Sequence, residues 1–135
     1  MKIDNYFSAR SITHFKDTLL YRDFAKFYWL GNGRKFFKRL KGKEMQEFHL
    51  SSRSNDVLRW KSGKTGTPII DAYMRLINSH GHINSRGRSI VSKYFCQDLR
   101  KNWKFGAQFF EEKFIDHDIE INYLNWLYAA SLGPA

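Results

Sequence analysis

A chain of 135 residues, 42% hydrophobic and 17% aromatic, holds enough apolar material for one modest core and is too short for two ordinary domains. Its 23 Lys and Arg against 13 Asp and Glu leave a net charge of +10, a field that attracts polyanions such as nucleic acid, an anionic membrane or a phosphate-bearing cofactor. The single cysteine, Cys96, excludes an internal disulfide and a thiolate zinc site; the polar start MKIDNYFSAR and the lack of any apolar run near ~18 residues give no leader or span, so the chain reads as soluble and intracellular.

Over residues 15–30, apolar side chains at Leu19, Leu20, Phe24, Phe27, Tyr28 and Leu30 recur at offsets of three and four, which predicts a helix stopped by Gly31, Asn32 and Gly33. A basic stretch follows, with Arg34, Lys35, Lys38, Arg39, Lys41 and Lys43 around Phe36, Phe37 and Leu40. It suits either a solvated face resting on a few aromatics or a nucleic-acid contact. Residues 41–60 are polar and poorly periodic, the pattern of a long loop with at most a short helix near Trp60. The turn GKTGTP ends this loop. Thr67 and Pro68 suit the cap and first position of a helix through PIIDAYMRLINSHG, with Ile69, Ile70, Tyr73, Met74 and Ile77 on one face. Another helix is expected over about 85–102, carrying Ile90, Val91, Tyr94, Phe95 and Leu99, and a further one over about 106–115 with Phe109, Phe110 and Phe114. The tail NYLNWLYAAS makes one more. Nothing alternates with period two over a useful length, so the fold class is all-α.

GKT at residues 63–65 lacks the glycine that a phosphate-binding loop needs five residues earlier, where Leu58 stands, so a turn is the better reading. His80 and His82 stand two apart and do not share a helix face, which fits a surface loop better than a metal site. SRGRS, residues 85–89, is more informative: Arg86 and Arg88 flank a glycine at a helix start, where guanidinium forks and free backbone N–H groups suit an anion. A solvent-exposed helix end accounts for the same residues. If the arginines are buried they need partners, and the acids of FIDHDIEINYLNW, Asp116 and Asp118, are the best placed to supply them.

In order, LLYRDF, WKSGKTGTPIIDAYMRLI, HGHINSRGRSIVSKYFCQDL, NWKFGAQFFE and FIDHDIEINYLNWLYAASLG resemble the C-terminal helical FAD-binding domain of the cryptochrome/photolyase family, over residues 15–133. The RGR form, the Asn125–Trp126 pair and YRDF resemble the DASH-type cryptochromes in particular. The resemblance implies that residues 1–135 form a single partial FAD-binding domain of a helical bundle, without the α/β antenna domain of the family. FAD is the implied cofactor. Arg22 matches a residue near its phosphates, and Asp116, His117 and Asp118 match the segment that wraps the adenine, ribose and isoalloxazine region. Arg88 matches the arginine paired with Asp116 beside the isoalloxazine, and Asn122 the amide facing its N5 atom. Phe110, Ile121 and Asn125 match pocket-lining positions.

The resemblance also implies an electron relay, with Trp126 and Trp103 as its inner and middle members and Leu50 where the outer tryptophan usually stands. Thr18 occupies the position of a glutamate that contacts the lesion in photolyases, and Tyr21 that of a tryptophan stacking on it. The usual Ser-Asn before RGR reads Asn84-Ser85, which puts Ser85 at the asparagine's flavin-contacting position, and His82 stands where an aromatic usually covers the pocket. Tyr21 and Arg86 are the implied contacts to DNA, single-stranded or damaged. The function so implied is that of a partial FAD-binding module related to light-driven repair of pyrimidine dimers or blue-light sensing, either degenerate or half of a split protein that a second polypeptide completes. The alternative is a flavin-free, basic helical module that binds nucleic acid.

Overall fold

The computed structural model describes residues 8–33 and 54–134, all helix, turn and connecting segments with no strand among them. The basic stretch at 34–43 and Leu50 lie outside the described residues. Two compact units divide the chain, Met1–Phe37 and Lys38–Ala135. The first carries α1, Ala9–Asn32. It begins earlier than the apolar spacing indicates because Ser8 caps it, its Oγ accepting from the Ser11 N–H at 3.1 Å. Gly33, with φ 47°, ends it. Phe15, Leu20, Phe27 and Leu30 are all more than half exposed on α1.

In the second unit, α2 (Asn55–Lys61), α3 (Pro68–His80) and α4 (Ser85–Lys93) are followed by a π-helical turn, Tyr94–Asp98, then by α5 (Trp103–Lys113) and α6 (Ile119–Ala129). The broadest pairing is α5 against α6. Trp60 on α2 is fully buried and touches rings from three other elements. Its centroid lies 4.5 Å from Phe95, 5.3 Å from Phe109, 6.4 Å from Phe110 and 6.2 Å from Trp126. Its indole Nε1 donates to the Val91 carbonyl at 3.3 Å. A seven-residue helix is far below the length that persists alone, so α2 owes its shape to this packing. Gly106 makes the packing possible: a Cβ there would lie 2.1 Å from Cη2 of Trp126.

The helix expected over 85–102 is interrupted. After Lys93 the chain opens into the wider π turn, in which the Leu99 N–H reaches the Tyr94 carbonyl at 3.0 Å. Two consecutive residues, Phe95 and Cys96, are thereby buried, and Gln97 Nε2 donates to the Ala129 carbonyl at 3.0 Å. Burial pushes the Cys96 thiol up to about 12. Arg100, with φ 50°, then turns the chain, and Lys101 is buried with its Nζ 3.2 Å from Asp56 Oδ2. Because that helix stops early, Asn102 is released to cap α5. Its Oδ1 accepts from the Lys104 N–H at 3.0 Å, so α5 starts three residues before the expected Gly106. At the other end of the unit, α6 closes with Ser131 at φ 58° and a bond from the Leu132 N–H to the Leu127 carbonyl at 2.8 Å.

The turn before α3 is locked by Asp71, which is buried in the first turn of that helix. Its Oδ1 accepts from the Thr65 N–H at 2.7 Å and the Thr65 hydroxyl at 2.6 Å, and its Oδ2 from the Gly66 N–H at 3.0 Å. Burial alone would raise its pKa. The hydrogen bonds from Thr65 and Gly66 and the charge of Arg75 outweigh that and hold it below the ordinary 3.8. A carboxylate with a depressed folded pKa contributes stability that is complete above its ordinary value and is lost as pH falls through the lowered one. Asp71→Asn should therefore cost about 2 kcal/mol at pH 7. In urea titrations the gap between variant and wild type should close as the pH drops below 3.8; a gap that stays constant into acid would show that the carboxylate charge contributes nothing.

Candidate functional site

The connection between α5 and α6 is fixed at its start. The Phe114 N–H donates to the Phe110 carbonyl at 2.9 Å, and the Ile115 N–H to the Gly81 carbonyl at 3.1 Å. Gly81 ends α3 at φ 65°, and a Cβ on it would lie 2.9 Å from the Lys113 carbonyl oxygen. Left-handed backbone and close approach coincide at one residue, and glycine alone meets both cheaply. This contact carries residues 116–118 to the start of α4.

The three residues that follow divide their work. Asp116 takes Arg88: Nη2 lies 2.8 Å from both Oδ1 and Oδ2. Arg88 is held from two more sides, its Nε donating to the Ile83 carbonyl at 3.0 Å and its Cζ lying 4.1 Å from the Phe114 ring centroid. His82 Nδ1 stands 3.3 Å from Arg88 Nη2 and 3.5 Å from Asp116 Oδ2. With Arg88 27% and Asp116 47% exposed, water screens the pair, and its worth lies in fixing the guanidinium more than in stability. Nε and Nη2 are committed, while the two N–H groups of Nη1 have no partner among the described residues.

His117 takes Asn122. The Asn122 amide donates from Nδ2 to the Ala107 carbonyl at 3.0 Å and stands 3.2 Å from His117 Nε2. A carbonyl oxygen only accepts, so the amide nitrogen must face α5, and Asn122 Oδ1 has no partner among the described residues. Asp118 caps α6, with Oδ1 accepting from the Ile121 N–H at 3.0 Å. The run of acids in a basic chain thus resolves into an arginine partner at 116, a helix cap at 118 and an acid in the first turn of α6 at Glu120.

The remaining sequence-derived residues fall in three places. Ser85 and Arg86 are exposed at the start of α4, and Asn84 takes the cap with its Oδ1 accepting from the Gly87 N–H at 2.8 Å. Gly87 is buried against Tyr73, whose Cε1 would lie 2.6 Å from a Cβ, so the glycine of RGR serves helix contact. Phe110, Trp126 and Trp103 are buried. Phe110 meets Phe114 at 4.6 Å and Trp126 at 5.0 Å, which continues a line of rings from the Arg88 guanidinium into the core. Trp103 stacks edge-on to Tyr123 at 5.7 Å, one helical turn before Gly106, against which Trp126 rests. Ile121 is half-buried and Asn125 exposed on α6. Tyr21 and Arg22 belong to α1 in the first unit, where Arg22 Nη2 is 3.5 Å from Asp23 Oδ1. His82, read from the resemblance as the residue covering the pocket, does meet Arg88 and Asp116. Phe114 and the contact of Tyr123 with Glu111 are what sequence reasoning missed as site members, because both contacts arise only from tertiary packing.

The family model for the FAD binding domain of DNA photolyase matches residues 15–135. Cryptochrome DASH of Danio rerio is 38% identical over 117 residues, covering 85% of this chain and 22% of that protein. Cryptochrome DASH of Synechocystis sp. is 38% identical over 115 residues, covering 85% of this chain and 23% of that protein. The crystal structure of a Synechocystis sp. cryptochrome superposes with a TM-score of 0.83 at 32% identity, over 96% of this chain and 27% of that one. An archaeal photolyase from Sulfolobus tokodaii, solved with two FAD molecules, gives 0.73 at 35% identity over 89% of this chain and 28% of that one. The chain thus spans 22–23% of the length of these two curated relatives.

Since Gly81 sets the approach of residues 113–116, Gly81→Ala should cost about 1–3 kcal/mol in thermal or urea unfolding. Gly31→Ala, inside α1 with nothing within 4 Å, serves as the control and should be neutral or mildly stabilising. Equal effects at the two positions would count against the role assigned to Gly81.

Proposed function

The chain belongs to the FAD-binding domain family of the DNA photolyases and cryptochromes, and from this we propose that it forms part of a DASH-type FAD site centred on the Arg88–Asp116 pair. One observation carries the reading: a guanidinium anchored by Ile83, Asp116 and Phe114, with both N–H groups of Nη1 uncommitted among the described residues. A fixed, partly shielded cation held by Asp116, together with an open amide acceptor on the helix that this segment leads into, fits an electron-rich, hydrogen-bonding heterocycle. FAD would supply light absorption and electron transfer there. Arg88 would hold positive charge beside the ring system, Asn122 Oδ1 would accept a hydrogen bond from it, and His117 would fix that amide. Ser85, Asp118, Phe110 and Asn125 would line the site, and Arg22 would serve the phosphates. Trp126 and Trp103 would pass electrons toward it.

For the whole assembly we propose light-driven electron donation to a pyrimidine dimer, or light sensing by the same electron transfer. Tyr21 and Arg86 would meet single-stranded or damaged DNA, and a second polypeptide would complete the domain. The net charge of +10 favours a second reading, a basic helical module that binds nucleic acid without flavin. Among the described residues no helix is long and apolar enough to cross a membrane.

The visible absorption spectrum after gel filtration with FAD separates the two readings. Flavin bands should co-elute with the protein. Arg88→Ala should weaken retention at least about tenfold, the worth of a charge-assisted hydrogen bond, while Lys64→Ala leaves it unchanged. A colourless, folded protein that binds DNA would replace the first reading with the second. Under either reading, affinity for single-stranded DNA should fall steeply, by roughly tenfold or more between 50 and 200 mM salt, and a flat response would remove DNA from the proposal.

A further inference from the structure

Among the described residues, the indoles at the centre of this domain meet no base that could take a proton. Trp103 and Trp126 are fully buried or nearly so, and the Nε1 of each has no hydrogen-bond partner among the described residues. Trp60 donates its Nε1–H to a peptide carbonyl, a very weak base. An indole that loses an electron becomes a strong acid, and it is trapped as a neutral radical only if a base takes the N–H proton. Among the described residues none of these three rings has such a base. An electron deficit reaching Trp103 stays as a charged, strongly oxidising ring until a neighbour fills it.

Trp103 has that neighbour. Tyr123 lies edge-on to it, with ring centroids 5.7 Å apart, and the Tyr123 hydroxyl donates to Glu111 Oε2 at 3.4 Å. Glu111 is exposed at the outer side of α5, so a proton placed on it exchanges with water. Burial raises the pKa of the phenol, and the charge and hydrogen bond of Glu111 raise it further. The ring therefore keeps its proton at neutral pH and must release it on oxidation. The phenol, unlike the indoles, has a carboxylate positioned to receive it.

We propose that Tyr123 and Glu111 form the terminal, proton-coupled electron donor of this domain, in place of the outer tryptophan whose position in the chain is Leu50. One electron passes from the Tyr123 phenol to oxidised Trp103, and the phenolic proton passes to Glu111. The O–H bond of Tyr123 breaks, an O–H bond forms on the Glu111 carboxyl, and Trp103 returns to neutral indole. With FAD bound, a light-excited oxidised isoalloxazine would supply the electron deficit on Trp103. To that extent the inference rests on the flavin reading above.

The test needs no flavin. Selective laser ionisation of the tryptophans in the full chain, followed by transient absorption and electron paramagnetic resonance, should show an indole radical cation giving way to a tyrosyl radical. Tyr123→Phe should lengthen the life of the indole radical cation about tenfold. Glu111→Gln, on the surface and nearly isosteric, should slow tyrosyl formation by about a hundredfold and abolish its slowing in heavy water. Unchanged tyrosyl kinetics in both variants, or a neutral indole radical accumulating in the wild type, would overturn the proposal. A chain that passes this test yet fails to retain FAD keeps the Tyr123 and Glu111 assignment and loses the flavin reading; one that retains FAD but shows no tyrosyl radical does the reverse.

Discussion

Everything in the second unit depends on the aromatic contact between Trp60 and Trp126. α2, the π turn, α5 and α6 each place a ring in that cluster, and the two helices nearest the limit of autonomous stability, α2 and α4, have 7 and 9 residues. Edge-to-face rings add specificity to burial because each fixes the plane of the next. The small residue at 106 is part of the same constraint, since the Trp126 ring occupies the space of its missing side chain. Close packing of this kind does not deform smoothly, which makes the cluster a rigid base for whatever is attached to its rim.

The site is attached there through Phe114 and Phe110. Arg88 rests on Phe114, Phe114 on Phe110 and Phe110 on Trp126, so the charged rim and the core share one row of side chains. The ion pair is too exposed to hold this geometry by attraction alone. Backbone supplies the rest: the Ile83 carbonyl orients the guanidinium, and the Gly81 carbonyl brings in the segment that bears Asp116. The site is placed by main chain and packing, and its charges act within a frame already set.

How much of this was legible in the sequence depended on whether the signal was local. The α3 helix with its Thr67 and Pro68 start was plain, because the start signal is written in adjacent residues, although Thr67 holds the cap position without a side-chain bond. Charge economy left Arg86 and Arg88 open against Asp116 and Asp118, two acids flanking His117 in a basic chain, and it was the resemblance that singled out Arg88 with Asp116, the pair that forms. The π turn was not, because Tyr94, Phe95 and Leu99 continue a helical spacing across it and the wider register shows only in backbone hydrogen bonds. α2 was legible as no more than a short helix near Trp60 at the end of a loop, because its buried face is little more than Val57 and Trp60. The cation–ring contact of Arg88 with Phe114, and that of Trp103 with Tyr123, join residues 26 and 20 apart through tertiary geometry that no window of sequence displays.

The π turn also sets the chemistry of the one thiol in the chain. By turning Cys96 inward beside Phe95, it leaves a sulfur that stays protonated at any physiological pH and that alkylating reagents meet only when the turn unwinds. The rate of labelling at that sulfur is then a clock for the opening of the core itself. Anything that tightens the domain, whether a cofactor at its rim or a companion chain, would be registered as a slower clock, without any cysteine having to be introduced.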